Sequence, residues 1–172
     1  RALKYYLDAR SVYEKCVPQP GLNLADACNG AGSACWHLGR TREAEAYYKQ
    51  ALAHLEKTSD PRRNFRLAST VANMGILWQS AGDFSRSKAN YLESIRYCEE
   101  VVNTTDDPVI REEAIIGRTR GYVNLATVYF AMGDDGRSRQ LLEMALRDRQ
   151  AILEPDDPKL LAGELNTGGL VP

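Results

Sequence analysis

The chain has 172 residues, 44% apolar and 26% charged, and a formal net charge of −1. That is long enough for a substantial core and too apolar for a disordered chain. The balanced charge argues against a dedicated nucleic-acid binder, which carries a basic excess to offset phosphate, and there is no apolar run of about 18 residues to span a membrane.

Prolines divide the chain. From Pro20 to Pro61 is 41 residues, and the steps to Pro108 and then to Pro155 are 47 each, with no proline between. Proline interrupts helix interiors, so each interval is a block bounded by loops, and a period of this size marks a repeat array. Each block carries a glycine near its middle followed by a polar residue: Gly39-Arg40, Gly82-Asp83 and Gly133-Asp134. Glycine tolerates the left-handed conformation that ends a helix, so each block reads as helix, tight turn, helix. Apolar residues recur at three- and four-residue steps, as in Ala27, Ala31, Ala34 and Leu38, and alternating strand patterns are absent.

The predicted helices, in order, are 1–17, 22–38, 41–58, 63–81, 84–103, 108–132, 135–153 and 159–168. Residues 1–17 begin as if in mid-helix, with Arg1 rather than Met, so the sequence reads as a piece of a longer chain. Gly117 and Gly121 leave open whether 108–132 is one long helix or is kinked.

Aligned on their turn glycines, the blocks agree at several positions. Seven before stand Gly32, Gly75 and Ala126, and four before Cys35, Trp78 and Tyr129. Five after stand Ala44, Ser87 and Ser138, and nine after Tyr48, Tyr91 and Leu142. Twelve after come Ala51, Ser94 and Ala145. Small residues on facing sides let two helix axes approach, and large ones fill the space beside them.

This pattern resembles the tetratricopeptide repeat, most closely over Ala25 to Lys57. Its long period is similar to that of the kinesin light chain group. The second block departs by Ser87 and Ser94, where alanine is usual, and the third by Ser138 and Leu142. The resemblance implies an all-α, right-handed superhelical solenoid of antiparallel helix pairs, a single array over residues 1–172. Residues 1–17 would be the second helix of a truncated repeat. Full repeats would occupy 22–58, 63–103 and 108–154, and 159–168 would be the first helix of a further one.

Nothing in the sequence assembles into catalytic chemistry. Gly30 and Gly32 begin a phosphate-loop pattern, but Cys35 stands at the third glycine and the stretch is helical. His37 and His54 have no set of metal ligands around them, so neither metal nor cofactor is expected. Cys16, Cys28, Cys35 and Cys98 lack Cys-x-x-Cys spacing and read as free, mostly buried thiols in a reducing, cytoplasmic setting. Asn103-Thr104-Thr105 fits a glycosylation acceptor only in a secreted protein. Arg62, Arg63 and Arg66, with Arg118 and Arg120 further on, read as solvated helix edges. Asp107 is placed to cap a helix.

The expected function is to bind a protein or peptide partner. In tetratricopeptide arrays the first helices line a concave groove, and the resemblance places Asn29, Ser33, Trp36 and His37 there from the first full repeat. Asn73, Ile76, Gln79 and Ser80 follow from the second, and Arg120, Asn124, Thr127, Phe130 and Ala131 from the third. Asn73, Asn124 and Asn166 share one register. Asparagine both donates and accepts, so such a ladder either holds an extended peptide backbone or bonds neighbouring helices to each other. Trp36 and Phe130 would anchor apolar side chains. A regulatory or sensor module of a larger protein, and self-association through the open ends, are the alternatives.

Overall fold

The structure, a computed structural model, describes residues 2–16 and 21–153. The described residues form seven α-helices: α1 (Ala2–Cys16), α2 (Gly21–His37), α3 (Thr41–Leu55), α4 (Arg63–Ser80), α5 (Phe84–Thr104), α6 (Pro108–Ala131) and α7 (Asp135–Ile152). The expected helix at 159–168, Cys16's thiol and Asn166 lie outside what is described.

Three helix hairpins, α2–α3, α4–α5 and α6–α7, turn on Gly39, Gly82 and Gly133, whose φ angles are +72°, +76° and +79°. These are the left-handed positions that only glycine adopts without strain. At each turn the two carbonyls left free by the helix end are taken up: Gly39 N–H donates to Trp36 and Arg40 N–H to Cys35, with the same pair at the other two turns. Helix α3 stops at Leu55, three residues short of the expected end, because residues 56–62 form the turn into α4. There Asp60 accepts from Arg62 N–H.

Successive hairpins stack so that the backbone of α2 comes close to α4 and that of α4 to α6, whereas the backbones of α3, α5 and α7 stay further apart. First helices lie closer together than second helices, so the array curves with α2, α4 and α6 on its inner face. The helix-pair cores are continuous across repeats: Cys35, Ala44 and Tyr48 of one hairpin cluster with Met74, Leu77 and Trp78 of the next. Tyr91 and Ile95 do the same with Tyr122, Leu125 and Val128.

The small residues seven before the turn have a more specific role than close approach of axes. A Cβ built on Gly32 would lie 2.6 Å from the Tyr48 ring, and one on Gly75 would lie 2.6 Å from the Tyr91 ring. The glycine is a slot, and the tyrosine nine after the turn fills it. In the third repeat the same two positions are occupied by Ala126 and Leu142, so both change together. Ser87 and Ser94, unusual for the pattern, are buried and donate to the carbonyls of Gly75 (2.9 Å) and Ala68 (2.8 Å) on α4. Their hydroxyls thus bond the two helices of the hairpin.

Helix α6 runs unbroken from Pro108 to Ala131, with Asp107 capping it by accepting from Val109 and Ile110. Its internal glycines do not kink it. They are seats for α5: a Cβ on Gly121 would meet Ile95 at 2.6 Å, and one on Gly117 would meet the Cys98 sulfur at 3.0 Å.

A second device repeats around the turns. Asp83 caps α5, and the guanidinium of Arg86 bonds back to it at 2.6 Å while lying 3.5 Å from the centre of the Trp78 ring. Asp134, Arg137 and Tyr129 repeat the arrangement. The first repeat has Cys35 in place of the aromatic, and its charges are reversed, with Arg40 paired to Glu43 at 3.0 Å. The Arg86 N–H, and then its guanidinium, hold the Asp83 carboxyl below the usual carboxylate range. A depressed value means the capping contribution is complete above the ordinary carboxylate pKa and is lost as pH falls through the depressed one. The protection of the Arg86 amide, relative to an open chain at the same pH, should therefore fall in acid before the hairpin cores open.

Candidate peptide-binding groove

The inner face carries the residues the sequence singles out, and three side-chain hydrogen bonds join six of them across repeats. Asn73 Nδ2 donates to Asn29 Oδ1 at 3.1 Å, joining α4 to α2. Trp36 Nε1 donates to Ser80 Oγ at 2.9 Å, and the Trp36 ring lies 4.4 Å from that of His37, which is exposed. Gln79 Nε2 donates to Thr127 Oγ1 at 2.9 Å and Gln79 Oε1 accepts from Tyr91 at 2.9 Å, joining α4 to α6 and to its own second helix. Ser33 shares a hydrogen bond with the Tyr48 hydroxyl at 3.1 Å.

Arg120 and Asn124 stand apart from this network. Their side chains make no hydrogen bond or ion pair with any described residue, though they sit one helical turn apart on α6. They border a cleft of about 150 Å³ between α4 and α6, shared with Asn73 and floored by Phe65, Ala72 and Ile76. Of the ten residues expected to bind a ligand, the structure brings Asn73, Arg120 and Asn124 together here. Asn29, Ser33, Trp36 and His37 line the α2 end, Gln79 and Thr127 form the bridge between, and Phe130, half exposed, lies at the far end. The floor residues Phe65 and Ala72 were not singled out by sequence, and no spacing in the sequence pointed to an opening there.

The cleft is not built for nucleophilic chemistry. Cys98 lies at its back, and burial pushes its thiol up to about 11, so it stays protonated at neutral pH. Burial likewise raises the Cys28 and Cys35 thiols and takes the Tyr91 hydroxyl up to about 12. Among the described residues no three His, Cys, Asp or Glu side chains converge as a metal site, and no helix is long and apolar enough to cross a membrane. The arginines at the helix edges are mostly partnered rather than free. Arg66 pairs with Asp26 across hairpins at 3.4 Å, Arg62 with Asp60 at 3.4 Å, and Arg63 donates to the Leu55 carbonyl at 3.0 Å. Arg118 turns away from the cleft and makes a two-pronged bond to Asp148 of α7 at 2.6 and 2.7 Å.

A curved array of helix hairpins with a polar inner face defines a helical repeat module of the protein-interaction type. Residues 25–53 and 120–159 each match the tetratricopeptide repeat. No curated protein matches the sequence. Its fold is similar to that of BtubC (BKLC) from P. vanneervenii, with a TM-score of 0.72 at 21% identity over 90% of this chain and 59% of that one. It is also similar to a Podosopora anserina protein with nearly identical TPR-like repeats, named as a kinesin light chain, with a TM-score of 0.65 at 15% identity over 94% and 71% of the two chains. The present chain therefore spans 59% of the length of BtubC. The array is an all-α, right-handed solenoid resembling the kinesin light chain type.

Proposed function

We propose that the chain is a non-enzymatic scaffold or adaptor that holds an extended segment of another protein along its concave face. The observation that carries this reading is the pair Arg120 and Asn124, polar and without a partner among the described residues, beside an apolar-floored cleft on a face where neighbouring polar side chains are bonded to each other. The Asn124 amide would donate to one peptide carbonyl and accept from one peptide N–H. Asn73, its Nδ2 held by Asn29, keeps its oxygen as an acceptor. Arg120 would take a carbonyl or carboxylate, and the cleft a small apolar side chain. Backbone bonding of this kind gives affinity with loose sequence demands. Buried, protonated thiols fit an intracellular setting.

A second reading is favoured by α1, where Tyr5 is 70% and Val12 56% exposed on one stripe. Such an apolar face suits either stacking on another domain of a larger regulatory protein or self-association, which sedimentation across concentration would detect.

The test uses peptides selected from a random display library on the full chain. Asn73→Ala with Asn124→Ala should weaken their binding roughly tenfold to thirtyfold, as loss of two hydrogen bonds of about 1 kcal/mol each implies. Asn124→Ala alone should leave the melting temperature unaltered, since its side chain bonds to nothing described. Unchanged affinity in the double variant would move the binding site to the convex face or the loops.

A further inference from the structure

Helix α6 carries Ile116, Val123 and Phe130 at seven-residue steps, exposed 39%, 37% and 50%. They stand seventeen, ten and three residues before the turn glycine. In the earlier repeats these positions meet the next first helix. Asn29 bonds Asn73, Trp36 bonds Ser80, Gln79 bonds Thr127, and Phe65 lies 3.8 Å from a Cβ placed on Gly117. The second helices show the same contrast. Ile95 and Val101 of α5 are buried, Ile95 against Gly121 of α6. Their counterparts in α7, Leu146 and Ile152, are only half buried, and Ile152 borders with Ile116 a depression of about 380 Å³. The third repeat thus presents, uncovered by any described residue, the surface on which the second repeat receives α6.

The sequence beyond α7 names an occupant. Residues 156–158 repeat the Asp-Asp-Pro of 106–108, where Asp107 caps α6 and Pro108 begins it. Asn166 follows Asn124 by 42 residues, and on that register Gly163 takes the place of Gly121 and Gly168 that of Ala126. The Gly121 position is small and buried in all three repeats, as Ala27, Thr70 and Gly121, and so is the Ala126 position, as Gly32, Gly75 and Ala126. Leu160 falls where Leu24 and Leu67 are buried. Glu164 departs from the register, standing where Cys28, Val71 and Tyr122 are buried, and makes this contact weaker than the internal ones.

We propose that residues 158–168 form a first helix that lies across Ile116, Val123 and Phe130, with Gly163 seated on Leu146 as Gly121 is seated on Ile95. Phe130 then belongs to the stacking surface and not to the free ligand anchors. The inference holds whether or not the groove binds a peptide.

A Cβ on Gly121 stands 3.9 Å from the Ile95 Cβ, a separation that suits a disulfide. In the full chain, Leu146→Cys with Gly163→Cys should therefore form an intramolecular bridge under mild oxidation, as should the internal control Ile95→Cys with Gly121→Cys. In the unsubstituted chain, amides of 160–168 should exchange at least roughly tenfold more slowly than an open chain, and Gly163→Leu should abolish that protection while α2 to α5 keep theirs. Bridges between two chains would show that a second copy covers this face, and would overturn the proposal. So would free exchange of 160–168, or protection without the bridge.

Discussion

Gly75→Leu should lower the unfolding free energy by about 3 kcal/mol, the upper end of what overpacking costs. The first atom added already lies 2.6 Å from the Tyr91 ring, and the ring has nowhere to go. It is fully buried, clustered with Ile95, Tyr122 and Leu125, and its hydroxyl is held by Gln79. Gly75→Ala is the more diagnostic variant, because helix propensity and packing predict opposite signs. Propensity alone would stabilise by about 1 kcal/mol, whereas the slot predicts a net loss. The third repeat carries a different pair at the same two positions, Ala126 with Leu142. Gly75→Ala should therefore be better tolerated when Tyr91→Leu is present, with a coupling of about 1 kcal/mol in a urea-unfolding cycle. Independent effects of the two substitutions would contradict the slot.

Arg118→Met should destabilise the chain by about 2–3 kcal/mol. The two-pronged bond to Asp148 is mostly shielded, with side-chain exposures of 19% and 14%, and removing the guanidinium leaves the carboxylate without its partner. The effect is large because α7 has little else: its only buried residues are Ser138 and Ala145. Replacing both ends, Arg118→Met with Asp148→Leu, should recover most of the loss, since the penalty comes chiefly from the orphaned charge. Chemical denaturation followed by circular dichroism measures both. The second hairpin, with eight buried residues on α4 and six on α5, should open last.

The architecture was legible because it rests on one-dimensional signals. Turn glycines, proline spacing and the recurrence of small and large residues placed the helices to within a few residues. What spacing does not carry is direction. Gly75 and Tyr91 were both visible as repeated positions, yet that the ring enters the space above the glycine depends on how the hairpin folds back. Arg118 and Arg120 read alike in sequence, but two residues on a helix point about 200° apart. One therefore meets Asp148 on α7 and the other faces the cleft. The bonds Asn73 to Asn29 and Gln79 to Thr127 depend on the register between repeats, which unequal loops obscure: three residues join α5 to α6, against seven between α3 and α4. The resemblance to the repeat family put these residues on one helix face, but which of them are spent on holding repeats together was hidden.

That division matters for function. A groove whose polar side chains are partly bonded to each other is pre-organised, and a ligand meets fixed partners rather than ordering them on arrival. On the proposed function, Arg120, Asn124 and the Asn73 oxygen, which has no donor among the described residues, would be the groups left for a peptide. The most direct measurement is a crystal structure of the chain with a library-selected peptide. The account predicts an extended peptide along α2, α4 and α6, with a peptide carbonyl within hydrogen-bond distance of Asn124 Nδ2 and a side chain in the cleft floored by Phe65 and Ile76. A peptide seated on α3, α5 and α7, or one that leaves Asn124 untouched, would contradict it.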